Sequence, residues 1–278
     1  MTWQVVAATM GAKLLAALPA LGSDAEVDAA FRALLPDLLS ATHSEFAGWL
    51  LSVPPAALPA VDAAAAAVSA GDSATRRGIW ELSPSGAAVP PAPADAYAVL
   101  WAHLPWPLRF QNVLAVERAT RTAALQQLMR TQQPVLTGLL PHLCSDALGD
   151  DAPGSIVYVP IWTQPRPDAS LARQNTTTAR LMATVDHSYC AVSFHWRRLL
   201  QDALAHRITG VAVVLHAPGD KAYTFVANMD GTFEAVGVGD VSSALVAPSL
   251  RRYARDIPLH APGGGAWRVT VLPTHALL

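Results

Sequence analysis

The feature that most constrains the fold is a change of hydrophobic period along the chain. Residues 117–130 place apolar side chains on one helical face, whereas apolar runs of strand length follow at 156–162 and 190–196. The pattern then repeats on a smaller scale, with a helix over 197–206 and a β-branched strand over 211–216. Strands and helices mixed in this order predict an α+β protein with antiparallel sheets.

The N-terminal part has a different pattern. Apolar residues recur at three- and four-residue steps from residue 5 to residue 53, which predicts a long helix or two stacked helices that end at Pro54-Pro55. The prediction for the whole chain is a helical stalk at 1–53 followed by two tandem PAS-like antiparallel-sheet lobes. The first lobe is expected at 54–196 and the smaller second lobe at 197–278.

Composition excludes several classes of protein. The 278 residues are 52% hydrophobic and 14% charged, with a net charge of −2, so the chain folds and has no basic stripe for nucleic acid. Its two cysteines lack the spacing of a zinc site. Because no apolar run reaches the roughly 18 to 20 residues that cross a bilayer, any membrane helices are expected outside this chain.

Motifs for catalysis are missing from the sequence. A GxSxG elbow, a P-loop, a GxGxxG after a strand and an HExxH are all absent. The nearest metal-ligand set, Asp186, His187 and His195, fits no common ligand spacing. We therefore expect a binding module and no enzyme, with no catalytic residue, cofactor or metal.

Several short segments, taken in order, resemble the CHASE domain, a family of extracellular sensors. The clearest are Pro-Val-Leu-Thr-Gly at 134–138, Ile-Val-Tyr-Val-Pro-Ile-Trp at 156–162 and Ser-Phe-His-Trp-Arg-Arg-Leu-Leu at 193–200. Residues 78–86 and 267–273 resemble a strand-and-turn segment and the closing strand of the same family. The resemblance covers almost the whole chain.

The resemblance implies a sensor domain of a membrane receptor, on the extracellular or periplasmic side and between two membrane helices. Such a domain reads a small molecule and signals to a histidine kinase of a two-component system, or to a nucleotide cyclase, inside the cell. The lobe at 54–196 would be the distal, ligand-binding one, and the lobe at 197–278 the membrane-proximal one. The stalk helices would form a homodimer.

The resemblance also implies a pocket between the distal sheet and the helix at 117–130. Hydroxyl groups in an apolar pocket fix the orientation of a ligand, so Thr137, Tyr158 and Ser193 are expected to be the polar anchors. The ligand-binding residues carried over by position are Val113, Leu114, Leu136, Thr137, Val157, Tyr158, Val159, Ala191, Val192 and Ser193.

Two positions depart from the cytokinin-receptor branch of the family. Leu114 stands where that branch has an aspartate that binds the adenine, and Asn112 is the nearest polar residue. Ala191-Val192 replaces a Gly-Gly pair, which narrows the pocket. A carboxylate that accepts two hydrogen bonds is a strong contact, and its loss argues against ordinary cytokinin recognition. The resemblance therefore predicts the sensor role and leaves the identity of the ligand, including a cytokinin-like one, open.

A second hypothesis belongs to a different class of protein. The chain could be a dimerisation and spacer module that binds no small molecule and transmits contacts through residues 5–53. A cavity of roughly 300 Å³ or more in the distal lobe would favour the sensor, whereas an interior filled by side chains would favour the spacer.

Overall fold

The structure is a computed structural model. It describes residues 46–69, 78–83, 85, 87–104, 110–114, 119–140, 153–162, 187–204 and 208–274, together with helical residues 26, 29–33, 36 and 39. The strands are β1 Phe46–Val53, β2 Glu81–Leu82, β3 Ala88–Val89, β4 Tyr97–Leu104, β5 Val135–Leu136, β6 Gly154–Trp162, β7 His187–His195, β8 Val211–Ala217, β9 Lys221–Ala227, β10 Phe233–Val238, β11 Arg255–His260 and β12 Ala266–Pro273. The α-helices are α1 Leu58–Ser69, α2 Ala119–Thr131, α3 Trp196–Leu204 and α4 Ser242–Leu245, and short 3₁₀ helices span Pro55–Ala57 and Pro248–Tyr253.

The first sheet has five strands in the order β4-β1-β7-β6-β5. β1 pairs with β4 in antiparallel register, with Leu51 opposite Val99 and a bulge between Trp49 and Leu50. A separate two-stranded ladder joins β2 to β3. Because β1 and β7 are interior strands of this sheet, their residues are buried almost throughout.

One helical expectation is wrong. The segment Phe46–Val53, which the apolar spacing assigned to the end of the stalk, is strand β1. Ala47, Trp49 and Leu51 on one face of the strand and Leu50 on the other are all buried. A short run that is buried on both faces has no polar side to define its period, so spacing alone cannot separate helix from strand. The predicted stalk before residue 46 lies mostly outside the described residues.

Helix α2 has a defined end and a link to the sheet. Gln132 has a left-handed backbone conformation (φ 52°) and its N–H donates to the Leu128 carbonyl at 2.7 Å, which is a C-terminal cap. Its side-chain Nε2 donates to the Met129 carbonyl at 2.8 Å and to the hydroxyl of Tyr189 in β7 at 3.1 Å. One glutamine therefore closes the helix and joins it to an interior strand.

The second sheet has five strands in the order β10-β9-β8-β12-β11. On one face of β8, Ala212 and Val214 form a buried cluster with Val246, which follows α4, and Leu272 of β12. Elsewhere in this part of the chain, Trp196 at the start of α3 stacks on Trp267 of β12, with 5.0 Å between ring centroids. The indole N–H of Trp196 donates to the Ser155 hydroxyl at 2.9 Å. These contacts anchor α3 at its first residue.

The chain forms two compact units. One contains residues 1–135 and 157–192, and the other contains residues 136–156 and 193–278. The predicted α+β class with two antiparallel-sheet lobes is confirmed, since the structure has two antiparallel sheets of five strands each. The domain limits at residues 53 and 196 stay predictions. Within the described part of the chain, no helix has the length and hydrophobicity needed to cross a membrane.

Replacement of Gly78 by alanine should destabilise the protein. Gly78 has φ +79°, and a Cβ there would lie 2.6 Å from Asp62 Oδ1, the atom that accepts the Ile79 N–H at 2.6 Å. Gly78→Ala therefore combines backbone strain with loss of a hydrogen bond and should cost about 2–3 kcal/mol. Gly219 has a similar φ of +77° but nothing within 4 Å of the added Cβ. In urea denaturation, Gly219→Ala should lower the free energy of unfolding by less than Gly78→Ala does. Equal decreases for the two variants would contradict this account.

Stability should also depend on the charge of His216. Burial and then the nearby Arg268 lower its pKa, against the opposing effect of Asp240 and Asp256, so the folded state favours the neutral ring. The contribution of the neutral ring to the free energy of unfolding is fully present above about pH 6.5, the pKa of histidine in the unfolded chain. It is lost as the pH falls below that value towards the lower pKa of the folded state. In the wild type, His216 Nε2 lies 3.1 Å from Thr270 Oγ1, and the amide of His216→Gln can keep this hydrogen bond. The variant should show a smaller decrease in the free energy of unfolding between about pH 7 and about pH 5.

The control is Val238→Gln, which introduces the same amide at a position that is 81% exposed and removes no titratable group. It should leave the pH dependence of unfolding unchanged. If both variants shift the pH profile alike, or neither does, His216 is not the group responsible.

Candidate functional site

The first unit contains an open cleft of about 720 Å³. This volume lies within the range of about 300–1,000 Å³ that is usual for small-molecule sites. The cleft lies between one side of α2, the loop that precedes β4, the ladder strand β2 and the segment 110–114. The lining residues are Glu81, Ala92, Pro93, Ala94, Asp95, Ala96, Asn112, Leu114, Thr122, Gln126, Met129 and Arg130.

Helix α2 supplies one wall of the cleft. Its lining residues follow Thr122 at intervals of four, seven and eight residues and are Gln126, Met129 and Arg130. This spacing places all four side chains on one helical face. The adjacent face, with Ala124, Leu125 and Leu128, is buried. The helix therefore has an apolar side for the interior and a mixed side for the cleft.

Asn112 is the most firmly held polar group of the cleft. The residue is 2% exposed, and its Oδ1 accepts the backbone N–H of Ala98 at 3.1 Å and that of Leu114 at 3.4 Å. Two backbone donors on the same side-chain atom identify that atom as the oxygen, which fixes the orientation of the amide. The Nδ2 group then points towards Glu81, whose Oε2 lies 3.5 Å away.

Glu81 brings a carboxylate to the same place. Its Oε1 accepts the backbone N–H of Ala92 at 3.1 Å, so the side chain holds the loop before β4. The exposed side chains of Asp95 and Arg130 complete the charged groups of the cleft, and neither forms a hydrogen bond or ion pair with the rest of the described chain. The cleft thus combines two carboxylates, one guanidinium and one oriented amide with a few apolar groups.

The segment that carries Asn112 is held in a strained conformation. Phe110 has φ +65°, which is rare for a bulky side chain. Its N–H donates to the Leu100 carbonyl at 2.6 Å, its carbonyl accepts the Trp80 N–H at 3.2 Å, and its ring packs edge-on to Trp101. These contacts on both sides keep the segment in place despite the strain.

Of the predicted ligand residues in the first unit, Leu114 lines the cleft and Val113 is buried beside it. Val157, Tyr158 and Val159 are buried in β6, and Ala191 and Val192 are buried in β7. Side chains of neighbouring strand residues point to opposite faces, so Val157 and Val159 share one face and Tyr158 has the other. Their part in ligand binding stays a prediction.

The other predicted ligand residues belong to the second unit. Leu136 is half-buried in β5, and its N–H donates to the Pro262 carbonyl at 3.1 Å. Thr137 is fully buried, and its Oγ1 accepts the Ile156 N–H at 2.9 Å. Ser193 is buried in β7, and its hydroxyl has no hydrogen-bond partner within the part of the chain that the structure describes. Their ligand-binding role is likewise a prediction.

Burial controls the chemistry of two groups in the first unit. Desolvation raises the pKa of Tyr158 to about 12, although the nearby Arg121 guanidinium acts in the opposite direction. Desolvation likewise raises the pKa of Cys190, a free thiol, to about 12. The phenol is therefore a neutral hydrogen-bonding group at physiological pH, and the thiol is not a nucleophile.

The described residues contain no group of three or more His, Cys, Asp or Glu that could hold a metal ion, and Asp186 of the candidate set lies outside them. Most of the cleft was not predicted from the sequence. Spacing could have shown the Thr122, Gln126 and Arg130 face of α2, whereas no local signal marks Glu81.

No family model matches the chain, and no curated protein sequence matches it. The candidate site therefore rests on the geometry of the cleft.

The buried amide of Asn112 should be important for stability. Asn112→Ala leaves the N–H groups of Ala98 and Leu114 without their acceptor and should lower the unfolding free energy by about 2–4 kcal/mol. Gln126→Ala alters an exposed side chain on the opposite wall and should change it by less than about 0.5 kcal/mol. Urea denaturation of the two variants measures the difference. A loss below about 1 kcal/mol for Asn112→Ala would show that the two donors find other partners.

Proposed function

We propose that the chain is a CHASE-type sensor domain of a membrane receptor, which binds a small ligand and signals to an intracellular histidine kinase or nucleotide cyclase. In this proposal the domain lies on the extracellular or periplasmic side, and membrane helices outside this chain flank it. The observation that carries the proposal is the cleft of about 720 Å³ beside α2, with its oriented Asn112 amide and Glu81 carboxylate.

The strand order supports the PAS-like part of the proposal. Numbered along the chain, the strands of the first sheet follow the order second, first, fifth, fourth, third. The second sheet has the order third, second, first, fifth, fourth. The first and last strands are neighbours in both sheets, which is the arrangement that a PAS-like lobe would have.

The segments that resemble the family fall on separate elements of the fold. Residues 134–138 begin just before β5, residues 156–162 lie in β6, and residues 193–200 run from the end of β7 into α3. Resemblance confined to one helix or strand would reflect local composition only. A resemblance spread over neighbouring strands of one sheet supports a common architecture.

The proposed signal depends on differential binding. A ligand in the cleft changes the output only if it binds more tightly when the stalks of the dimer adopt one of two arrangements. The predicted stalk precedes β1 in the sequence, and β1 is an interior strand of the first sheet. In this proposal, a small change in the packing of this sheet is transmitted to the stalk through the chain itself.

The alternative is a dimerisation and spacer module without a ligand. The observation in its favour is the dense burial of the predicted strand residues, since Val157, Ala191 and Val192 are at most 2% exposed. The cleft beside α2 argues for the sensor, because a spacer needs no concave surface with oriented polar groups.

Leu114→Trp should abolish ligand binding. Leu114 is half-buried and lines the cleft, so a larger ring would occupy the space of the ligand. A panel of amino acids, nucleobases, polyamines, sugars and carboxylic acids is added to the purified protein, and the midpoint of thermal unfolding is measured. A ligand that binds only the folded state raises this midpoint in a concentration-dependent way. The variant should lose that rise.

The control variant is Val238→Trp, which adds the same ring at a position that is 81% exposed. It should retain the full ligand-induced shift. Both variants must first unfold cooperatively without a ligand. If no compound in the panel shifts the wild-type protein, or if Leu114→Trp responds as the wild type does, the spacer is the better description.

A further inference from the structure

We propose that the cleft selects ligands that carry an N–H donor next to a hydrogen-bond acceptor, as a carboxamide or a ring amide does. This inference rests on the proposed function, and it names the ligand class of the same cleft. It follows from the hydrogen-bonding capacity that Asn112 and Glu81 retain after their contacts within the protein are counted.

Asn112 can offer the ligand only a donor. Its Oδ1 already accepts two backbone N–H groups, those of Ala98 and Leu114. Its Nδ2 carries two hydrogens, and its one contact, with Glu81, is 3.5 Å long and at the outer limit for a hydrogen bond. At least one N–H of this buried side chain therefore remains for a ligand.

Glu81 can offer only acceptors. An ionised carboxylate has about four acceptor positions, and the two contacts of Glu81, with Ala92 N–H and Asn112 Nδ2, use one on each oxygen. The protein thus presents an acceptor and a donor side by side. A ligand that satisfies both must present a donor and an acceptor in the complementary order.

Other polar ligands can hydrogen-bond to only one of the two groups, the Glu81 acceptor or the Asn112 donor. An ammonium group can donate to Glu81 but cannot accept from Asn112. A carboxylate can accept from Asn112 but would lie beside the negative charge of Glu81. Sites that hydrogen-bond a ligand group discriminate strongly against analogues that lack it, because their own polar groups then remain unpaired. Leu114 and Met129 provide apolar contact for the remainder of the ligand.

A matched set of benzene derivatives tests the inference on the whole chain. Benzamide has the donor and the acceptor, N,N-dimethylbenzamide has only the acceptor, benzylamine has only donors, and benzoate has only acceptors. Each is titrated at millimolar concentration, and its affinity is measured by ligand-observed NMR. Benzamide should bind about tenfold or more tightly than each of the other three, the effect of one hydrogen bond to a charged group.

Variants assign the effect to Glu81. Glu81→Gln exchanges one acceptor oxygen for an N–H group and should weaken benzamide about tenfold while leaving N,N-dimethylbenzamide unchanged. Glu234→Gln makes the same chemical change at an exposed carboxylate of β10 that does not line the cleft, and it should leave both affinities unaltered. If Glu81→Gln does not fold, the comparison of the two amides on the wild-type protein decides the question.

Three results would overturn the inference: equal affinity for the two amides, tighter binding of benzylamine or benzoate, or no binding of any of the four compounds. These results are distinct from failure of the sensor proposal. Suppose that a metabolite without a neighbouring N–H donor and acceptor binds the wild-type protein but not Leu114→Trp. That result would support the sensor proposal and reject this ligand class.

Discussion

The side-chain amide of Asn112 is the contact on which the cleft depends. Residues 110–114 run alongside residues 98–100 of β4 but belong to no strand. Their backbone N–H and C=O groups therefore need hydrogen-bond partners outside a regular β-ladder. Asn112 meets this need with its backbone N–H on the Trp80 carbonyl and with its side chain on two further N–H groups. The segment is thereby fixed between β4 and the chain that leads into β2.

A fixed segment has consequences for recognition. The groups that face a ligand must keep their positions before the ligand arrives, since ordering them on binding reduces the affinity. Asn112 and Glu81 are each held by backbone N–H donors, so they are preorganised. Gln126 and Arg130 on the opposite wall have no such contacts within the described residues and can adapt to the shape of a ligand. The cleft therefore has one rigid wall and one adaptable wall.

Sequence patterns predicted most elements whose hydrophobic period is clear. The helix expected at 117–130 is α2 at Ala119–Thr131, and the strand expected at 156–162 is β6 at Gly154–Trp162. The pattern failed at Phe46–Val53, where burial on both faces removes the period. In the cleft, Leu114 was predicted as a lining residue through the family resemblance. Glu81 was not, because its significance arises from Asn112, which lies 31 residues away along the chain.

Spacing between residues that are close along the chain specifies the mixed α+β class, the apolar face of α2 and the regular strands. Tertiary structure decided that β1 is an interior strand, that Asn112 directs its N–H towards Glu81, and that one side of α2 faces a cleft. The physical reason is that hydrogen bonds and concave surfaces form between segments that are distant in sequence. Their partners depend on the register and packing of the sheets, which no local pattern specifies.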